Sequence, residues 1–380
     1  MSKINQLIQN LCPAGVEYKK LENVLIIKNG RDYKQFGDGN IPVYGSGGIM
    51  TYIDTAVYDK PSVLIPRKGS LDKLYYVDTP FWNVDTIFYT DIDTSLVEPK
   101  YIYYYLEGQH LERLNKAGGV PSLTQAVLNK VQLPVPPLEV QREIVRILDS
   151  FTLLTAELTA ELTAELTARK KQYEFYRDKL LSFDTDVKIE PLGNVCDLQA
   201  GKAIKANLIS DEKTSMASIP CFGANGLRGY VNDYNQEGNK SIIGRQGALC
   251  GNVCYATGKY YATEHAVVVT DKGYFNSRYL FHALIHADLN QYKTAGAQPG
   301  LSVSRLNDVK IAVPNKEVQD RIADVLDNFE KICTDLNIGL PAEIEARQKQ
   351  YEYYRDLLLT FAETGSTLMT DRQTDRQTDR

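Results

Sequence analysis

The chain has no apolar run near the ~18 residues a membrane-spanning helix requires, so no span is expected. Its start, Met1-Ser2-Lys3-Ile4-Asn5-Gln6, lacks the apolar core and small-residue cleavage site of a secretion signal. Six cysteines are scattered over 380 residues without a paired spacing, which argues for reduced thiols and a cytoplasmic location rather than a disulfide frame. Motifs for chemistry are missing too. There is no Asn/Asp-Pro-Pro-Tyr/Phe motif for adenine methylation, no Gly-x-x-x-x-Gly-Lys-Ser/Thr phosphate loop and no nuclease carboxylate cluster. Cys250-x-x-x-Cys254 has no second pair to complete a zinc site, and His282 and His286, one helical turn apart, have no third ligand in view. The reading is therefore of a chain without catalytic or metal-ligating residues. Excess positive charge is also absent. The balance is 43 Lys+Arg against 48 Asp+Glu, net −5. That acidity is uneven: residues 1–137 are neutral (14 against 14) and residues 185–315 are net +2 (13 against 11). The acid lies in the connecting stretches, which leaves the intervening segments free to meet a polyanion.

What the chain does have is itself twice over. The window 117–151 returns at 295–329, a constant 178 residues later, with 16 of 35 positions identical. Leu128-Asn129-x-Val131, Glu139-Val140-Gln141 and Leu148-Asp149-x-Phe151 come back as Leu306-Asn307-x-Val309, Glu317-Val318-Gln319 and Leu326-Asp327-x-Phe329. Lys171-Gln172-Tyr173-Glu174-x-Tyr176-Arg177-Asp178 returns as Lys349-Gln350-Tyr351-Glu352-x-Tyr354-Arg355-Asp356 at the same offset. A two-copy repeat of this period means one architecture built twice.

Each half runs in the same order. A segment rich in Gly, Tyr, Val and Ile comes first. It includes a strand–glycine turn–strand pattern, Ile41 to Tyr52 and Ile219 to Tyr230. Short buried strands at Ser62–Ile65 and Ser241–Ile243 each lead into a basic turn. A helix is expected after Tyr101 and after Tyr279. Residues 196–218 show no clear counterpart in the first half. Proline punctuation then opens a long helical pattern. The first, about Leu138 to Phe183, contains three tandem Thr-Ala-Glu-Leu units from Thr155 to Leu166. These are strong helix formers, and leucine every fourth residue makes a slowly drifting stripe that another helix must cover. The second, Lys316 to Phe361, carries Gly339-Leu340-Pro341, where a break or kink is expected. The fold class expected is α+β: two pseudo-symmetric α/β domains separated by a pair of long antiparallel coiled-coil helices. The boundaries are 1–137, 138–184 (spacer helix), 185–315, 316–362 (second spacer helix) and a disordered tail, 363–380. The tail repeats Thr-Asp-Arg-Gln, which one choice of codons, ACA-GAC-AGA-CAG, would encode as a repeat of ACAG; the expectation is that it is translated from a slippage-prone DNA repeat.

This order resembles the specificity subunit of type I restriction–modification enzymes, over about residues 1–362. The Thr-Ala-Glu-Leu array, the Lys171–Asp178 block and the Pro-Pro-Leu-Glu-Val-Gln run at 136–141 carry the resemblance. The second half has Pro314-Asn315-Lys316-Glu317-Val318-Gln319, without the double proline. The resemblance implies two target-recognition domains, each reading one half of a split, asymmetric site in double-stranded DNA. It implies that the helix pair sets the gap and docks two methyltransferase subunits, and that restriction motor-nuclease subunits join the complex. S-adenosylmethionine, ATP and Mg would then sit on partner subunits, with no cofactor on this chain. A coiled-coil adaptor that binds proteins is the alternative reading.

Candidate DNA-binding residues come from side-chain chemistry on the expected turns. Arg67, Lys68, Arg245 and Gln246 follow buried strands on short turns, where Arg and Gln suit two-pronged contacts to guanine and adenine edges; solvated surface charge is the alternative reading. Ser46, in Gly45-Ser46-Gly47-Gly48, and Asn225 lie on glycine turns that could meet phosphate through their backbone. Lys28, Arg31, Lys34, Lys202 and Lys205 form small basic clusters that read equally as phosphate contacts or surface charge. Gln298 lies on a loop that looks like a family-wide feature, although its equivalent in the first half is Val120. Tyr173, Tyr176, Tyr351 and Tyr354, repeated on the helices, are the candidate partner-docking anchors.

Overall fold

The computed structural model describes residues 3–115, 122–183, 187–247, 249–294, 299–335 and 339–364. Gln298, a candidate DNA contact, and the low-complexity tail from residue 365 lie outside them. The chain forms two compact units that do not follow sequence order: Met1–Glu161 with Ile344–Arg380, and Leu162–Glu343.

In the first unit a four-stranded antiparallel sheet has the order Leu25–Asn29, Ile87–Ile92, Ser62–Pro66, Tyr75–Val77. Val63, Leu64 and Ile65 are wholly buried, as expected of a short apolar run covered on both faces. The hydroxyls of Ser62 and Thr90 satisfy each other and the neighbouring backbone. A second sheet is built on the glycine hairpin, Ile41–Gly45 with Gly48–Ile53, and adds Trp82–Asn83 in parallel. The helix Pro99–Gly108 opens on proline, whose missing N–H costs nothing there, and buries Tyr101 and Ile102 in the core.

The second unit repeats this plan. Its main sheet has the order Cys196–Ala200, Ala266–Asp271, Lys240–Gly244, Val253–Ala256. Its hairpin Ile219–Gly223 and Gly226–Val231 likewise takes a parallel neighbour, Lys259–Ala262. The structure corrects one expectation here. Cys196–Ala200 does have a counterpart, because it pairs with Ala266–Asp271 as Leu25–Asn29 pairs with Ile87–Ile92. Strand pairing constrains backbone and burial, not identity, so the sequence match had vanished while the strand persisted.

The first long helix runs Leu138–Leu181, 44 residues or about 66 Å. Its first turns complete the core of unit one through Val140, Ile144, Ile147, Leu148 and Phe151, at the three- and four-residue spacing of one helix face. Leu154, Leu158, Leu162 and Leu166 are half-buried, whereas Ala156, Glu157, Ala160, Glu161, Ala164 and Glu165 are exposed. The second pattern is two helices, Lys316–Thr334 and Leu340–Leu359, interrupted at the expected place. A side chain on Gly339 would fall 2.6 Å from the Asp335 carbonyl oxygen.

Helix pairing inside each unit is antiparallel and crosses the repeat. In unit one Phe151 packs on Tyr354 at 6.2 Å, and the Thr152 hydroxyl bonds the Tyr351 hydroxyl at 3.2 Å. In unit two Tyr176 stacks on Phe329 at 5.3 Å. Phe151 and Phe329 are equivalents, as are Tyr176 and Tyr354, so the same ring pair is made twice with the copies exchanged. The aromatic identities shared by the two copies are explained by this reciprocal contact.

Two equivalent latches tie each helix start to its own domain. Gln141 is wholly buried; its amide donates to the carbonyls of Leu96 (3.0 Å) and Pro136 (2.8 Å), and its oxygen accepts from the Glu98 N–H (2.8 Å). Gln319 does the same with Tyr274, Pro314 and Asn276. Tyr101 and Tyr279 donate to the carbonyls of Pro134 and Ala312.

Candidate nucleic-acid interface

One end of each unit gathers loops from four separate parts of its sequence. In unit one the hub is Asn83–Thr86. The Arg31 N–H donates to the Asn83 carbonyl at 2.9 Å, and the Arg67 and Lys68 N–H groups donate to the Thr86 carbonyl at 3.0 and 3.3 Å. The Ser46 N–H donates to Thr86 Oγ1 at 3.3 Å, and Tyr75 closes the turn by donating to the Ser46 carbonyl. The Leu123 N–H adds the fourth segment by donating to the Arg67 carbonyl at 2.9 Å. Thus Arg31, Ser46, Arg67 and Lys68, dispersed over 38 positions of sequence, share one surface.

Unit two rebuilds the hub from residues 262–265. The Lys202 N–H donates to the Ala262 carbonyl at 2.9 Å, the Arg245 N–H to the His265 carbonyl at 2.9 Å, and the Leu301 N–H to the Arg245 carbonyl at 2.9 Å. The Gly223–Gly226 turn, which exposes Asn225, presses so closely that a Cβ on Gly244 would sit 1.7 Å from the Ala224 carbonyl oxygen. Only glycine fits there. Lys202, Asn225, Arg245 and Gln246 are brought together, with Lys205 exposed farther along the same loop. Gly69 and Gly247, at φ of +79° and +85°, turn the chain after each arginine in a region that disfavours other residues.

The basic residues are not equally available. Lys28 donates to Asp91 at 2.6 Å, and Tyr58 donates to the other oxygen of that carboxylate at 2.7 Å. These bonds hold Asp91 below the usual carboxylate range and raise the Lys28 ammonium. Lys28 is therefore committed to its own fold rather than presented on the hub. Lys68 is exposed, 3.7 Å from Asp85, and Lys34 is exposed on the loop after Arg31.

The tyrosines named as docking anchors are engaged inside their units. Tyr173 meets His282 Nδ1 at 3.0 Å, Tyr351 meets Thr152 and Glu107, and Tyr176 and Tyr354 pack on the phenylalanines already described. The rings left outside are their neighbours Phe175 and Tyr353, equivalents at 60% and 59% exposure. Sequence inspection missed these two because their identities differ between the copies. His282 and His286 diverge, to Asp327 (2.7 Å) and Asp178 (3.0 Å). His282, Asp327 and Glu330 do cluster, but the Arg278 guanidinium bonds both carboxylates and supplies the positive charge a metal would bring.

The same domain is thus built twice on spacer helices, each copy with its own basic hub. The family described as the type I restriction modification DNA specificity domain matches residues 13–168 and again 185–346. The chain belongs to that family. A putative type I restriction enzyme specificity subunit of Haemophilus influenzae is 34% identical over 382 residues, covering 91% of this chain and 96% of the relative. The Escherichia coli EcoprrI specificity subunit is 50% identical over 206 residues; that match spans 53% of this chain and about half (51%) of the relative. A solved chain reported under complex assembly and conformational transition of the type I restriction–modification system superposes with a TM-score of 0.61 over 92% of this chain and 98% of its own, at 15% identity. That likeness concerns the fold. As a specificity subunit the chain serves DNA-sequence recognition and is not itself an enzyme. Membership decides against the adaptor alternative, and it fits a fold in which the same frame is built twice with different side chains at its tip.

Proposed function

We propose that each unit reads one half of a bipartite, asymmetric site in double-stranded DNA through its hub, with the helices setting the gap. The observation that carries this is the duplicated hub: the same backbone frame holds Ser46, Lys68, Asp85 and Thr86 in one unit and Ala224, Gln246, Glu264 and His265 in the other. Equal frames with unequal side chains suit two different half-sites. The candidate contacts are Arg31, Lys34, Ser46, Arg67 and Lys68 in one unit, and Lys202, Lys205, Asn225, Arg245, Gln246 and Gln298 in the other.

The helices offer Phe175 and Tyr353, an exposed aromatic at equivalent positions, for two copies of a methyltransferase subunit. Restriction motor-nuclease subunits complete the cytoplasmic complex, and S-adenosylmethionine, ATP and Mg belong to those partners. Among the described residues no helix is long and apolar enough to cross a membrane.

Deleting Thr163–Leu166 tests the ruler. The deletion removes about 6 Å and rotates the remainder of the helix by about 40°. One base pair of B-DNA turns roughly 35° and rises about 3.4 Å. Rotation therefore matches one base pair, while the rise matches only if the helices run oblique to the DNA. The remaining leucines keep their four-residue register. Methylome sequencing should show a shorter gap between unchanged half-sites. Altered half-sites with an unaltered gap would refute the proposal.

A further inference from the structure

Arg67 and Arg245 stand out within the hubs. They are equivalents under the 178-residue offset, and their backbones are clamped alike, N–H to the hub carbonyl and carbonyl to the N–H of Leu123 or Leu301. Their surroundings differ. Lys68 is replaced by Gln246; at the hub, where the hydrogen bonds pair residues 179 apart, Asp85 is replaced by Glu264 and Thr86, whose carbonyl takes the Arg67 N–H, by His265.

Both arginines share an unusual feature. The Nε–H of each is buried and has no hydrogen-bond partner among the described residues. A buried donor without a partner is unfavourable, and its appearance twice at one place points to a ligand that supplies the acceptor. Among the described residues, no carboxylate ties down the rest of either guanidinium. Arg67 lies 5.1 Å over the Phe88 ring, and its Nη1 is 3.5 Å from Asn29 Oδ1, too long for a strong bond. By contrast Arg278 and Arg355, elsewhere in the same fold, are both ion-paired. Nε and one terminal nitrogen form a planar two-pronged edge that matches two oxygens of a phosphate.

Resting on the DNA-recognition reading, we propose that Arg67 and Arg245 grip one backbone phosphate in each half-site, by the same geometry and without regard to base sequence. A residue retained where its neighbours change serves a ligand that does not change, and every half-site offers a phosphate. The two arginines would fix the register of each unit on the duplex, leaving discrimination to the divergent positions around them. The same prongs also fit the O6/N7 edge of guanine, so the experiment has to separate the two.

The test uses the full chain assembled with its methyltransferase subunits and carrying Arg67→Gln, Arg67→Lys, Arg245→Gln or Arg245→Lys. DNA affinity is measured over a salt series and the methylated motif is read by sequencing. Each Gln variant should lower the slope of log K against log salt by about 1 and weaken specific and non-specific DNA by the same factor, with the motif unchanged. Each Lys variant should retain the slope and lose only the two-pronged part of the affinity. If a Gln variant melts early, the Lys variant at that position decides. Relaxation of the motif at a guanine would overturn the proposal in favour of base reading. Unchanged affinity and slope in folded variants would overturn it outright. Failure of the unaltered complex to bind DNA would instead remove the DNA-recognition reading beneath it.

Discussion

Replacing Gln141 by Leu is the most direct test of how the domains are fixed to the helices. Leu has nearly the same volume, so the change removes three hydrogen bonds without opening a large cavity. It orphans the Glu98 N–H and one bond each at the Leu96 and Pro136 carbonyls, all around a side chain with no solvent exposure. An orphaned buried donor costs about 1–3 kcal/mol, and a carbonyl with a second lone pair costs less. The expected loss is about 3 kcal/mol. For a unit approaching 200 residues, that lowers the melting temperature by roughly 6–12 °C. Gln319→Leu should cost the second unit a similar amount, through Asn276, Tyr274 and Pro314. The two latches share no hydrogen-bond partner, so the double variant should be additive within about 0.5 kcal/mol. Thermal melting and hydrogen exchange at the Glu98 and Asn276 amides measure both effects. If Gln141→Leu melted within a degree of the parent and left Glu98 protected, the latch would be no more than a geometric coincidence.

Burial pushes His282 down to about 4, against the opposing pull of its hydrogen bond to Asp327. Its folded value lies below the ordinary ~6.5, so the unfolded chain takes up the proton first as pH falls. Unit two should therefore lose about 2 kcal/mol between pH 7 and pH 5, and urea unfolding should show that difference removed in His282→Tyr. Tyr is the residue used at the equivalent position 104, where its hydroxyl bonds Asp149. Phe175→Ser with Tyr353→Ser should leave the melting temperature unchanged but weaken capture of the methyltransferase subunit. Tyr176→Ser, which removes the stack on Phe329, should lower the melting temperature. Gly244→Ala places a methyl group on the Ala224 carbonyl oxygen and should displace the Asn225 turn. Sequencing of methylated DNA should then show recognition lost for one half-site only.

Much of this architecture was legible along the chain because its causes are local. Alanine, glutamate and leucine without interruption specify a helix over Thr155–Leu166, and Gly339 and Pro341 break the second one whatever surrounds them. The repeat at 178 residues announced two copies, since identical residues at a fixed offset record identical demands on packing. Arg67 and Arg245 were already marked by basic turns after buried strands. The absence of paired cysteines and catalytic motifs narrowed the class before any folding was considered.

The rest depends on contacts between residues far apart in sequence. The strand Cys196–Ala200 left no sequence match because sheet pairing is satisfied by backbone groups that every residue carries. Availability of charge was equally hidden: Lys28 looks like Arg31 in sequence, and only the approach of Asp91, 63 residues away, ties its ammonium into an ion pair. The same holds for the tyrosines. Tyr176 and Phe175 are neighbours in the chain, yet helix pitch turns one onto Phe329 and leaves the other to solvent. Residue order and composition were enough to establish two similar modules and long helices, because both are encoded in short stretches. Membership of each unit came only from folding, since an antiparallel return brings Tyr354 to Phe151 rather than to its own copy of the repeat.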